Sequence, residues 1–526
     1  MKVLVSDQLS DIGVKLLNEA EGIEVDVNTG LSHDELKEII GDYDGLVIRS
    51  ATKVTEDIIK AAKKLKVIGR AGIGLDNVDI PAASKQGIVV MNTPDGNTIT
   101  TAEHTIAMMM ALSRNIPQAT ASLKAGKWEK KKLKGREVFN KTLGLIGVGH
   151  IGRIVADRAK GMKMKVIVYD PYIKPEAIEK LGIRSVSFED LLKESDYITV
   201  HTPKTDETTN LIDRDAMSKM KQGAMIINCA RGGIVNEDDL YEALKSGHLG
   251  GAAFDVFTTE PPGQHKLMTL PNFICTPHLG ASTKEAQDNV AKDVANQIIL
   301  YLFHGTVKNA VNVPSISSEL MNLLRPWAVL TEKLGRLQAQ LSNSAIIEVI
   351  IDYAGSITEQ DVAPLTTSML KGLMAPILGD DVNFVNAPFI AADRGIKVIE
   401  SKSQTSEDFS SLITLKVKTL EDENVVSGTV FGKDMHRILS INDFRLEAIP
   451  EGHNLLIYNE DIPGTIGKIG TTIGSHGINI NRMQVGEEKE KGQNVILLTT
   501  STVVDDDTLK ELEKLDNIFS VRRIDL

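Results

Sequence analysis

The sequence predicts an α/β chain. Two doubly wound lobes with parallel sheets are followed by an α+β segment and a ferredoxin-like βαββαβ unit. Three observations carry this. Over roughly the first 310 residues, short and almost continuously apolar runs alternate with helical patterns, as in βαβ units whose sheets are buried on both faces. A glycine-rich turn stands between one such run and a helix, and an acidic residue closes the next run. The stretch from Gly452 onward reads strand, helix, strand, strand, helix, strand.

The apolar runs, in order, are Lys2–Asp7, Leu46–Arg49, Val67–Arg70, Leu143–Gly147, Val166–Asp170, Tyr197–Thr202, Ala224–Cys229 and Ala252–Val256. Ligands of such sheets bind outside the carboxyl ends of the strands, so residues just past these runs are the candidates for chemistry. Val311–Ser317 is polar and proline-marked and reads as a linker. A helix over Leu320–Leu341 then precedes a strand over Ala345–Tyr353, and the chain to about Pro450 is richer in Ser and Thr. The last unit comprises strand Leu455–Asn459, the turn Asp461–Gly464, a helix to Gly474, strands Ile478–Val485 and Asn494–Thr502, helix Asp505–Leu515 and strand Phe519–Ile524.

Composition narrows the function classes. A chain of 526 residues holds three or four domains at roughly 150 residues each. Its 42% hydrophobic and 25% charged content is that of a globular protein. The longest apolar candidate, Ile106–Leu112, is far short of the roughly 18 residues of a membrane span, so no membrane partner is expected. Met1-Lys2-Val3-Leu4-Val5 reads as the first strand, not as a leader. Against 59 basic residues stand 71 acidic ones, a net charge of −12, and aromatics are only 4%, so no nucleic-acid partner is expected. Cys229 and Cys275 form neither a disulfide framework nor zinc-ligand spacing. A reducing, cytoplasmic setting and no metal are the expectation.

In Gly147-Val148-Gly149-His150-Ile151-Gly152 each glycine has a job. Gly147 permits a tight turn, Gly149 lets backbone approach a pyrophosphate, and Gly152 lets the helix pack closely on the strand. The amides near His150 and Ile151 would face phosphates at the positive helix end. Asp170 lies about 18 residues past Gly152, near the expected spacing of roughly 20, where a carboxylate accepts from the adenosine ribose hydroxyls. Its charge would repel a 2′-phosphate, and Pro171 and Tyr172 supply no arginine, which favours NAD over NADP.

Three polar residues sit just past runs of this half: Arg231 after Met225–Cys229, Glu260 after Ala252–Val256 and His278 after Phe273–Cys275. Hydride removal from a carbinol carbon needs an acceptor for the hydroxyl proton, which histidine supplies near neutral pH. A neighbouring carboxylate would orient the ring and favour the imidazolium. Arginine grips a carboxylate through two parallel hydrogen bonds. Each residue alone also fits a structural role; the combination with the glycine turn is what points to a hydroxy-acid dehydrogenase.

Those segments, with His201-Thr202-Pro203, Asn228–Gly233, Asp255-Val256-Phe257, Glu260-Pro261-Pro262, Pro277–Thr283, Arg70–Asp79 and Asn92–Asn97, resemble the D-isomer-specific 2-hydroxyacid dehydrogenases. The resemblance spans the chain and is most specific to the long form of the family. That form oxidises 3-phosphoglycerate at the start of serine synthesis and carries an intervening domain and a terminal ACT domain. It implies two Rossmann-like lobes: residues 1–97 and 283–314 for substrate, with an NAD-binding domain over 98–282 inserted between them. An intervening domain over 315–450 and an ACT domain over 451–526 would follow. Arg231 would anchor the substrate, His278 act as acid and base, and Glu260 partner it. Thr202, Ala230, Asp255 and Gly280 would border NAD, as would Arg231 and His278.

A phosphorylated hydroxy acid needs cations in an acidic chain. Arg49 and Arg70 end strands of the first lobe, and the resemblance adds Ile73, Gly74 and Asn97 to the substrate wall. Lys124–Arg136 holds seven basic residues and one acidic residue around Trp128. It resembles a contact between subunits, with a homodimer or homotetramer implied, while the plainer reading is a solvated helix end and loop. The turn from Asn459 to Gly464 resembles the amino-acid site of ACT domains. Asp461 and Asn479 match serine-binding positions, and Asn459 replaces the usual His or Tyr at the first. L-serine is thus the implied effector, against a purely dimerising unit. Lys433, His436, Arg437 and Arg445 are candidates for an anion site. A glyoxylate or hydroxypyruvate reductase and an NAD-sensing corepressor of the same fold are the other readings of the chain.

Overall fold

Runs without a polar break form parallel strands with both faces covered, because each face needs an apolar partner. A computed structural model describes residues 1–313, 318–379, 381–406, 408–488 and 492–526. In it, β1 (Lys2–Val5), β2 (Glu24–Val27), β3 (Gly45–Ile48), β4 (Val67–Arg70) and β5 (Val89–Asn92) form an all-parallel sheet in the order β2-β1-β3-β4-β5. A second parallel sheet joins β6 (Thr142–Ile146), β7 (Lys165–Tyr169), β8 (Arg184–Ser185), β9 (Tyr197–Val200), β10 (Met225–Asn228), β11 (Gly251–Phe254) and β12 (Phe273–Cys275) in the order β12-β11-β10-β9-β6-β7-β8. Strand order reverses between β6 and β9, which opens a crevice at their carboxyl ends.

Several strands stop one or two residues before the apolar run does. β1 ends at Val5 because the Asp7 carboxylate turns back and accepts the N–H groups of Arg49 and Thr52. The two lobes are interleaved in sequence. Helix Lys284–His304, from beyond the second sheet, packs on the first: a Cβ on Gly69 of β4 would meet Val294 at 2.6 Å, and one on Gly13 would meet the Ala291 carbonyl at 2.8 Å. Helix Thr98–Ser113 leads away from the first lobe, and the Thr100 and Thr283 hydroxyls lie 3.2 Å apart where the chain crosses and returns.

The remaining strands form one mixed sheet. They are β13 (Ile346–Gly355), β14 (Lys397–Ser403), β15 (Ser411–Thr419), β16 (Glu423–Phe431), β17 (Met435–Ile441), β18 (Phe444–Ala448), β19 (His453–Glu460), β20 (Ile480–Glu488), β21 (Gln493–Thr500) and β22 (Ile518–Asp525). Their order is β14-β13-β15-β16-β17-β18-β20-β21-β19-β22. The last four have the ferredoxin-like arrangement expected of βαββαβ. They are not separate from what precedes them, because β18 pairs antiparallel with β20 through Arg445 and Glu487. An edge strand presents unpaired backbone groups, and β18 covers that edge.

The linker expected over Val311–Ser317 is docked in its described part. Asn312 accepts the Val90 N–H at 2.9 Å and donates to the Ser84 hydroxyl and the Ile88 carbonyl, so the segment lies along the edge of β5. Pro314, Ser315, Ile316 and Ser317 lie outside the described residues. Farther on, Asn383 Nδ2 donates to the Gly87 carbonyl at 2.9 Å, and Val385 is buried in the core of the first lobe. Among the described residues no helix is long and apolar enough to cross a membrane.

Helices Ser318–Leu341 and Ala363–Leu378 cross with their backbones in contact. A Cβ on Gly372 would lie 2.0 Å from the Glu332 carbonyl oxygen, and one on Gly335 would lie 2.2 Å from that of Met369. Gly372→Leu is therefore expected to cost about 3 kcal/mol or more, the upper range for overpacking. Circular dichroism should show an earlier unfolding transition, with dinucleotide binding by the first 310 or so residues retained.

Candidate active site

The glycine turn follows β6 directly. Gly147 has φ +91°, and a Cβ there would lie 2.7 Å from the His201 carbonyl oxygen. A Cβ on Gly152 would lie 2.4 Å from the Gly147 carbonyl oxygen, so the helix can start this close only with glycine. Around Gly149 the space is open, with nothing within 4 Å of its missing Cβ. Gly149 caps helix His150–Gly161 without a side-chain hydrogen bond, which leaves first-turn amides for an anion. His150 is exposed and pairs across the cleft with Asp95 at 3.3 Å; Ile151 packs on the core of the second lobe.

Asp170 stands past β7 with its carboxylate held in place. Oδ2 accepts from the Val148 N–H at 2.9 Å and Oδ1 from the Tyr172 N–H at 3.0 Å. With Tyr169, Tyr172, Lys174 and Ser187 it lines a cavity of about 560 Å³. Lys174 is a cation that the reading from Pro171 and Tyr172 left out. Beyond β9, the Thr202 hydroxyl is buried without a partner. Beside it, His201 is kept neutral, since burial pushes its imidazole down to about 4. Open space at Gly149, free helix-end amides, an oriented carboxylate and an orphan hydroxyl on one crevice fit a dinucleotide. Gly147, Gly149, Gly152, Asp170 and Thr202 are the residues that would hold it.

The three residues of the expected constellation come from different strand ends. His278 sits at φ +54°, and its Nδ1 lies 2.7 Å from Glu260 Oε2, while Glu260 Oε1 accepts the Phe257 N–H at 3.0 Å. That fixes the ring and leaves Nε2 for chemistry. Asp255 braces the loop. Its carboxylate accepts from the Leu279 and Gly280 amides at 2.7 and 2.8 Å and from the Thr276 hydroxyl at 2.5 Å, and its carbonyl accepts the His278 N–H at 2.9 Å. Burial would raise the Asp255 carboxyl. Hydrogen bonds from His104, Thr276 and Leu279, together with the charge of His104, outweigh that and hold it below the ordinary range. Its side chain is fully buried, so its oxygens serve this loop first.

Arg231 is aimed by both lobes. Its Nε donates to Asp76 at 3.1 Å, its Nη1 donates to the Ala230 carbonyl at 2.7 Å, and its Nη2 lies over Gly74, whose missing Cβ would sit 1.9 Å away. Arg49 and Arg70 join it. Burial pushes the Arg70 guanidinium down to about 10, with Arg231 and Arg49 adding to the effect and Asp76 and Asp7 opposing it. The Arg70 Nε and the Asn97 Oδ1 are buried without partners. Asn92 Nδ2 donates to the Ile73 carbonyl at 2.7 Å and Thr93 accepts the Gly72 N–H at 2.7 Å, which sets the Ile73–Gly74 loop. Asp76 and His104 are the site residues that sequence reasoning missed. Asp76 lay within a quoted motif with no signal of a partner 155 positions away.

The C-terminal candidates come out differently. Asn459 is buried, with Nδ2 bonded to the Glu460 carbonyl and Oδ1 unpartnered, and Asp461 accepts from Asn494 at 2.8 Å. Asn479 does not join them. The register sets Asn459 opposite Asn494 but Ile480 opposite Thr500, so Asn479 lies at the other end of the sheet, about 20 Å off at roughly 3.4 Å per residue. Nor do the four candidates for an anion site converge. His436 and Arg437 are neighbours on β17 and face opposite ways; His436 bonds the Pro326 carbonyl and Arg437 pairs with Glu447. Trp128 is 81% exposed, close in sequence to exposed Ile116, Leu123 and Phe139. Gly152→Ala should abolish dinucleotide binding, checked by NADH fluorescence, because its Cβ meets rigid backbone.

Three segments match known families. Residues 106–280 match the D-isomer specific 2-hydroxyacid dehydrogenase, NAD binding domain. Residues 323–442 match the D-3-phosphoglycerate dehydrogenase intervening domain, and 453–518 the ACT domain. The D-3-phosphoglycerate dehydrogenase of Synechocystis sp. is 45% identical over 518 residues, 98% of this chain and 93% of that one. Those of Archaeoglobus fulgidus and Bacillus subtilis are 43% and 41% identical, over 100% of this chain and 100% and 99% of theirs. The NAD-dependent formate dehydrogenase of Staphylococcus aureus, solved in complex with NAD, superposes with a TM-score of 0.54 at 32% identity, over 60% of this chain and 100% of that one. With such identity along its whole length, the chain belongs to the D-3-phosphoglycerate dehydrogenases of the D-isomer-specific 2-hydroxyacid dehydrogenase family.

Proposed function

We propose that the chain oxidises 3-phospho-D-glycerate to 3-phosphooxypyruvate with NAD, the first step of the phosphorylated route to L-serine. The observation that carries this reading is the convergence of Arg49, Arg70 and Arg231, with the His278–Glu260 pair past neighbouring strands of the sheet that carries Arg231. A substrate with a carboxylate and a phosphate at its two ends is what three guanidinium groups in an otherwise acidic chain would select. Arg231, with Nε committed to Asp76, turns its Nη edge to the carboxylate. Arg49 and Arg70 take the phosphate. His278 Nε2 accepts the 2-hydroxyl proton, while Glu260 holds Nδ1 and stabilises the imidazolium that results. Bound NAD supplies the hydride acceptor.

In this reading residues 1–97 and 283–314 form the substrate lobe, 98–282 the NAD lobe, 315–450 the intervening domain and 451–526 the ACT domain. Serine feedback through Asn459, Asp461 and Asn479 requires a second copy, since one chain sets them at opposite ends of its sheet. The exposed apolar side chains around Trp128 support a dimer through the NAD lobe.

NADH formation from 3-phosphoglycerate, beside NADP and glycerate controls, tests the reading; absence of turnover with any 2-hydroxy acid would end it. Equal efficiency with glycerate would favour a reductase of simpler hydroxy acids instead. His278→Ala should lower kcat by about 10²- to 10⁴-fold with NAD affinity kept. The KM for 3-phosphoglycerate should climb as pH rises through about 10, where Arg70 loses its charge, while the KM for NAD stays flat. Titration to millimolar L-serine without a change in rate would remove the feedback.

A further inference from the structure

We propose that His104 is a positioning residue for proton transfer, which together with Thr101 fastens the loop bearing His278 to the helix that joins the two lobes. The kinetic part of this inference rests on the function proposed above; the structural part does not.

The loop from Thr276 to Thr283 holds His278 in the left-handed region that side chains rarely adopt, so its surroundings must impose that shape. Three consecutive backbone N–H groups, those of His278, Leu279 and Gly280, end on Asp255. Asp255 itself is buried, and a buried carboxylate is stable in place only when its lone pairs are filled. His104 adds a further contact to Oδ1 from outside the loop. Its Nε2 lies 3.2 Å from Asp255 Oδ1 and 3.1 Å from Thr276 Oγ1. The Thr276 hydroxyl donates to Asp255, which leaves its oxygen free to accept from the His104 N–H, so the three groups close a triangle.

His104 reaches this point from helix Thr98–Ser113, at the crossing between lobes. One turn earlier on the same face, Thr101 Oγ1 donates to the Gly280 carbonyl at 3.0 Å. One side chain grips the loop just before His278 and the other just after it. The groups facing His104 across the packing are Asp255 and Thr276, with Met108 Sδ 3.9 Å from the same hydroxyl. Its action on the reacting atoms therefore passes through Asp255. The Cys229 thiol, pushed up to about 12 by burial and by the neighbouring Asp255 charge, keeps its proton and adds no second negative charge beside Asp255.

The test uses the full chain and the variants His104→Leu, His104→Gln and Thr101→Val. Hydrogen exchange followed by mass spectrometry should show the 276–283 segment of His104→Leu exchanging about tenfold faster or more, with the rest of the second lobe unchanged. His104→Gln, which keeps a donor, should return it to within about threefold. With 3-phosphoglycerate, His104→Leu should lose about tenfold or more in kcat, with NADH affinity within about twofold, and the deuterium isotope effect for substrate labelled at C2 should rise. Thr101→Val should move both readouts the same way. Unchanged exchange in 276–283, equal acceleration across the whole lobe, or loss of NADH affinity in step with kcat would each overturn the proposal. A wild-type chain without turnover would fell the functional reading alone, since the exchange measurement still decides the role of His104.

Discussion

One buried carboxylate organises the centre of this molecule. Asp255 sits at the carboxyl end of the second sheet, out of water, with hydrogen bonds that converge from a loop, a threonine and a helix. A charge so placed costs several kcal/mol unless its partners replace the lost hydration. Here the replacement is the loop backbone itself, so solvating the charge and shaping the loop are one event. The backbone at His278 then determines where its ring lies, and the ring must lie within reach of Glu260 for Nδ1 to be held. The neighbouring strand ends supply the rest, as open α/β sheets do at the point of strand reversal.

The substrate wall poses the opposite electrostatic problem. Three guanidinium groups in one cleft repel, and Arg70 registers this in a cation weakened by burial and by its neighbours. Asp7 and Asp76 moderate the repulsion as nearby negative charges that oppose the weakening of Arg70. Asp7 binds the backbone N–H of Arg49 and Asp76 binds the Nε of Arg231. A chain with a net charge of −12 can therefore present a locally cationic pocket to an anion.

Most of this was legible in the sequence because it depends on short-range rules. Continuous apolar runs marked nine of the twelve strands of the two parallel sheets, with β2, β5 and β8 passed over, and the glycine spacing marked the turn after β6. The triad Arg231, Glu260 and His278 followed from position past a strand. Contacts between distant segments were not legible. Asp76 and His104 act through partners far along the chain, and nothing in their own neighbourhood, the motif around Asp76 included, signals those partners. Asn479 looked like a companion of Asp461 because a family motif ignores strand register, and register puts the two at opposite ends. The linker at Val311 looked free because its polarity is visible, whereas the β5 edge that it covers is not.

The pairing of β18 with β20 bears on how the last third of the chain behaves as a material. The two units meet edge to edge in one sheet, and rotation of one against the other would break the pairing of β18 with β20 at Arg445 and Glu487. Helix Ser318–Leu341 adds a second tie, with Gln340 bonded to Asp525 and Arg522 to the Leu341 carbonyl. Force applied at the terminal strands therefore travels as through a stiff plate to β13 and β14, the end of the sheet closest in the chain to the helices that meet the first lobe. An effector held at one margin of that plate would have its lever arm already built, and a chain cut near residue 450 would lose the lever and leave β18 as a bare, adhesive edge.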